Sequence, residues 1–150
     1  MRVFHQYGTR ERLFEMLRGV NKLEEGVLER EEKERVINEF IGNVNQHLGI
    51  TNQPPEITIS NDPTAAAEMA SFGEFKPLQG TILVVATNRN LADVLRTLAH
   101  EMVHYKQNLE GRLSNGQDNN ADGSDIENEA NSEAAIIMRK FGRDNPIIFE

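Results

Sequence analysis

One stretch of the 150-residue chain constrains its fold more than any other: Leu91 to Leu109, which holds neither proline nor glycine. Leu91, Leu95, Leu98, Met102 and Leu109 recur at helical spacing and line up on one stripe. The stretch therefore predicts an amphipathic helix that packs through this stripe, while Thr97, His100 and His104 fall away from it. Such a helix needs a second layer to cover its apolar side. The remaining chain must supply that layer.

It does so from both directions. Thr9 caps a short helix through Leu17, ended by Gly19. A longer helix carries Val36, Ile37, Phe40, Ile41, Val44 and Leu48 and stops at Gly49. Between them, Leu23 to Lys33 is charged and interrupted by Gly26, which fits either a solvated extension or a separate short helix. Thr51 to Pro55 breaks the pattern. Glu56 to Ser60 alternates Ile57 and Ile59 with polar residues and predicts a strand buried on one face. Asp62-Pro63 opens a brief helical turn. Phe72 to Phe75 and Thr81 to Thr87 are further strands, joined through Pro77 and Gly80. After a polar loop from Gly111 to Gly123, Ser124 opens a last helix that runs to Phe141 before Gly142. The expected fold is α+β in one domain spanning 1–150. Residues 1–50 form a helical part, and 56–142 hold a short mixed sheet and two helices, with a backing helix behind.

Composition removes several functions. Without cysteine there are no disulfides, zinc fingers, iron–sulfur clusters or thiol catalysis, so a metal would be held by His and carboxylates. A net charge of −8 and the lack of a Lys/Arg stripe argue against a nucleic-acid partner. The longest apolar run, Ile82 to Ala86, is far shorter than a bilayer span, so no membrane partner is expected. The opening residues, Met1 to Gln6, lack a signal-peptide core, which points to a cytoplasmic protein.

The Leu91 helix contains His100-Glu101-Met102-Val103-His104. Two histidines at i and i+4 stand one turn apart on a rigid element, so both imidazoles can reach one ion. Glu101, beside His100, can take a proton from a water activated by that ion. The flanking Thr97-Leu98-Ala99 and Met102-Val103 are uncharged and make the setting drier. Lys106 departs from the longer form of this pattern, which has an apolar residue there.

A hydrolytic zinc needs a third protein ligand and an open position. In the last helix, Ser124-Asp125-Ile126-Glu127 reads as a capping box, which assigns Glu127 a structural role. Ile126, Ala130, Ala134, Ile137 and Phe141 form the apolar face, with Glu129 and Glu133 placed in or beside it. Buried acids require compensation, and no Lys or Arg lies between Leu113 and Met138. A metal ion would compensate Glu129. The N–H of a ligand histidine would compensate Glu133.

These residues resemble the gluzincin zinc metallopeptidases, which carry HExxH on one helix and a glutamate ligand on a following one. Asn128-Glu129-Ala130-Asn131-Ser132-Glu133 is similar to the Asn-Glu-Ala-x-x-Asp of thermolysin-like members, with Glu in place of the final Asp. The resemblance covers roughly residues 81 to 142 and looks like a minimal single-domain form, such as phages and bacteria encode. It implies a zincin-like fold with one Zn²⁺ on His100, His104 and Glu129, Glu133 orienting a histidine, and Glu101 as general base in peptide hydrolysis. It also implies a peptide or protein substrate laid along an edge strand at Thr81 to Thr87. The donor that steadies the tetrahedral intermediate is left open among His5, Tyr7, His47 and Tyr105.

Two readings compete. One is a metal-binding structural or interaction protein with the same fold and no turnover. The other is a Ca²⁺ module, because Asp118-Asn119-Asn120-Ala121-Asp122-Gly123 followed by Glu129 fits a calcium loop. Asp125 at its apolar position and the glycines at 111 and 116 argue against a full calcium-binding hand. That leaves Asp118, Asn120 and Asp122 as a minor Ca²⁺ site. Finally, the tail from Asp144 to Phe149 either covers the core or lies in the cleft.

Overall fold

The computed structural model describes residues 29–65, 71–113 and 124–149. The helix expected at Thr9 to Leu17 and the calcium-loop residues Asp118, Asn120 and Asp122 lie outside them. The fold is α+β. Among the described residues it holds helices α1 (Arg30–Leu48), α2 (Leu91–Leu109) and α3 (Asp125–Asp144), a 3-10 turn (Pro146–Phe149) and strands β1 (Glu56–Ser60), β2 (Gly73–Lys76) and β3 (Thr81–Val85). No helix among the described residues is long and apolar enough to cross a membrane.

The sheet runs β1-β3-β2, with β1 parallel and β2 antiparallel to β3. Alternation places Ile57 and Ile59 in register with Ile82 and Val84, and all four are buried. Phe75 and Gly73 align with the same two β3 residues from the other side. This face packs on α2, whose Leu91, Leu95, Leu98 and Met102 are buried; Leu109, the last residue of the stripe, emerges into solvent. The strand order also changes one expectation. Thr81–Val85 is the central strand and Gly73–Lys76 the edge, because β1 returns to pair with β3 and fills its other side.

The backing helix α1 buries Val36, Ile37, Phe40, Ile41 and Val44 against α2 and α3, and Phe40 meets Phe141 edge-on with ring centroids 5.0 Å apart. Its end is built from two devices. Gly49 adopts φ +73°, a left-handed cap that a glycine takes without a Cβ penalty. Lys106 Nζ donates to the Leu48 carbonyl at 2.7 Å, placing a cation on the negative end of the helix. The departure at Lys106 thereby has a job: it ties α2 to α1.

The last helix continues past Gly142 and ends at Asn145, where Pro146 cannot extend it. Gly142 allows the tail to approach, since a Cβ there would lie 2.6 Å from the Phe149 ring. The tail covers the core, burying Ile148.

Candidate metal centre

Helix α2 presents the histidine pair where α3 crosses it. His100 Nε2 and His104 Nε2 are 3.1 Å apart. Glu127, on the first turn of α3, spans them, with Oε1 3.0 Å from His100 Nε2 and Oε2 3.1 Å from His104 Nε2. His104 is buried and the other two are half-buried. Among the described residues these three form a group close enough to hold a metal ion.

The donor set fits a cation for a specific reason. Gln107 is fully buried, and its amide nitrogen donates to the Ile126 carbonyl at 3.1 Å and to Glu129 Oε1 at 3.0 Å. Its Oε1 therefore faces His104 Nδ1, 2.8 Å away, and Nδ1 must be the donor. In the neutral ring this leaves Nε2 as a bare lone pair against a carboxylate oxygen. Two acceptors 3.1 Å apart repel unless a proton or metal ion lies between them. Zinc–nitrogen bonds of 2.0–2.1 Å in a tetrahedron separate ligand atoms by about 3.3 Å, only slightly more than observed. Burial, with the neighbouring His104, lowers the His100 pKa against the opposing pull of Glu127 and a hydrogen bond to Asn131, which favours the neutral ring.

The acid that stands with the histidine pair is Glu127, not the expected Glu129. Glu129 accepts a two-pronged hydrogen bond from Arg112, at 2.8 and 2.9 Å, and its carboxyl is held below the usual range by Arg112 first and Gln107 second. At about 100° per residue, Glu127 lies roughly 60° from Ala130 towards the buried stripe, whereas Glu129 lies roughly 100° to the other side. That arithmetic is the sequence signal for Glu127. Ser124 does cap the helix, accepting from the Glu127 backbone N–H at 3.1 Å, while the Glu127 carboxylate turns to the imidazoles. Glu133 does not orient a ligand histidine either. It pairs with His47 at 3.1 Å, and the orienting groups are Gln107 for His104 and Asn131 for His100. The cation that compensates Glu129 is Arg112, just before the stretch from Leu113 to Met138 that holds no basic residue.

Glu101 lies beside the cluster, buried, its carboxyl pushed up to about 8 by burial first, then by Glu127 and Glu74. A cleft of about 480 Å³ opens here, lined by Phe72, Gly73 and Phe75 of the edge segment, Arg96, Thr97, His100 and Glu101 of α2, and Glu127 and Asn131 of α3. Its outer wall is braced by Arg89, which donates to the Val85 and Asp93 carbonyls and to Thr97 Oγ1 and lies 4.2 Å from the Phe72 ring centroid.

Gly73 permits the approach of β2, because a Cβ there would lie 2.5 Å from Thr97 Cγ2 and 3.1 Å from Glu101 Cγ. Gly73→Ala is expected to cost about 1–3 kcal/mol, the usual range for overpacking. Urea denaturation of the variant against wild type measures it.

Of the residues considered as transition-state donors, His47 is paired with Glu133 and the Tyr105 hydroxyl donates to the Gln53 carbonyl, while His5 and Tyr7 lie outside the described residues. Arg96 and Asn131 are among the polar side chains that line the cleft. Comparison of the chain with protein-family models, with curated proteins and with solved structures found no match.

Proposed function

We propose that this chain is a zinc-dependent peptidase whose ion is held by His100, His104 and Glu127, with Glu101 as general base. The observation that carries the reading is the convergence of two imidazole nitrogens and a carboxylate within 3.1 Å of one another, with a second buried carboxyl beside them in an open cleft. Zinc at such a site supplies Lewis acidity, which ionises water near neutral pH and polarises a carbonyl. The chain's own residues supply the rest. Glu101 takes a proton from water and returns it to the leaving amine, the part of a general base and then a general acid.

The edge strand supports a peptide substrate. Val85 N–H donates to the Phe72 carbonyl, so alternation turns Glu74 and Lys76 toward β3 and the backbone groups of Gly73 and Phe75 outward. An extended peptide pairing there would lie along the cleft. Ser71 Oγ already donates to the Gly73 carbonyl at 2.6 Å, leaving one lone pair on that oxygen for such a strand.

The test is cleavage of casein or a peptide library by purified protein. Activity lost on chelation and restored by one equivalent of zinc is the expected outcome. Tight zinc binding with no cleavage would favour the second reading, a metal-binding protein without turnover. The engagement of His47 and Tyr105 elsewhere is the observation on that side.

A further inference from the structure

A chain of hydrogen bonds leads from the surface to His104. Arg112 grips both oxygens of Glu129; Glu129 Oε1 accepts from the Gln107 amide; Gln107 Oε1 faces His104 Nδ1. Only one direction of donation satisfies every link. A guanidinium only donates, and the Ile126 carbonyl that shares the Gln107 amide group only accepts. The Gln107 NH2 is thus committed at both hydrogens, and its oxygen is the one atom left for the ring. Because Gln107 is fully buried, water cannot replace either acceptor cheaply. Two of the links, Ile126 and Glu129, belong to the first turns of α3, the same turns that carry Glu127.

We infer that Gln107 is a positioning residue that imposes the Nδ1–H tautomer on His104, its own amide locked by the Ile126 carbonyl and by an Arg112-held Glu129. The relay couples the docking of α3, which delivers Glu127, to the protonation pattern of His104. When α3 is seated, carboxylate and bare Nε2 arrive together. When it is not, both are lost. The tautomer claim stands on the hydrogen bonds alone, whereas its consequence for zinc affinity rests on the proposed metal centre.

The experiment reads the imidazole ¹⁵N shifts of His104 in metal-free protein, at a pH high enough for a neutral ring, alongside zinc affinity. Wild type is expected to show Nδ1 protonated and Nε2 bare. Gln107→Met, similar in size but without the amide, is expected to show a mixture of tautomers and a roughly 10-fold loss of zinc affinity. Glu133→Ala, one turn along α3 from Glu129, is the control and should leave the tautomer unchanged. Protonated Nε2 in wild type would overturn the inference with no variant needed, as would a Gln107→Met protein with an unaltered tautomer. A wild type with the expected tautomer that binds no zinc would instead defeat the metal centre and leave the relay intact.

Discussion

Substituting Glu127→Ala is expected to abolish stoichiometric zinc binding, whereas Glu129→Ala should weaken it only within the roughly 10-fold to 100-fold range of groups that orient ligands. The order follows from where the two carboxylates point. Glu127 places one oxygen on each imidazole, and its removal leaves two nitrogens and no anion to offset a dication. Glu129 spends its oxygens on Arg112 and Gln107, so its loss reaches the site only through the Gln107 amide. This reverses the order that the resemblance to thermolysin-like peptidases implies. Titration calorimetry with zinc on both variants measures it. A Glu129→Ala protein that loses zinc while Glu127→Ala keeps it would restore the other assignment.

Glu101→Gln should remove cleavage by about 10²-fold to 10⁴-fold, the usual scale of general acid–base catalysis, with zinc still bound. The same substitution has a second signature in metal-free protein. The carboxyl rests near pKa 8 in the fold against an ordinary 4.5 in the unfolded chain. Between those values the folded state holds the extra proton, so stability is fully present below about 4.5 and declines as pH rises toward 8. Glu101→Gln cannot ionise and escapes that decline. Metal-free Glu101→Gln should therefore exceed metal-free wild type in stability at pH 8 by on the order of a few kcal/mol, with the gap closing below pH 5. Thermal melts across that range decide it. A gap independent of pH would show that burial does not hold the proton on Glu101.

What is legible in the sequence divides from the rest along physical lines. Leu91–Leu109 and Glu56–Ser60 are legible because periodicity reports local geometry directly. Gly142 misleads because a glycine inside a helix is tolerated when a neighbouring segment packs on it, here Phe149 and Ile148. Strand order is a nonlocal property, and nothing in Thr81–Val85 reveals that β1 and β2 would flank it. The histidine pair is visible from its spacing. The acid that meets it was obscured by two local patterns, a capping box that gave Glu127 other work and an Asn-Glu-Ala match that favoured Glu129. Gln107 carries no signal of its own beyond lying three residues after His104. Its role appears only once α3 supplies the Ile126 carbonyl and Glu129.

The most direct measurement is zinc-edge anomalous diffraction from crystals of the zinc-loaded protein. A single peak about 2.0–2.2 Å from His100 Nε2, His104 Nε2 and a Glu127 oxygen, with Glu129 still on Arg112, is the predicted result. A peak coordinated by Glu129, or no zinc between the two imidazoles, would contradict it.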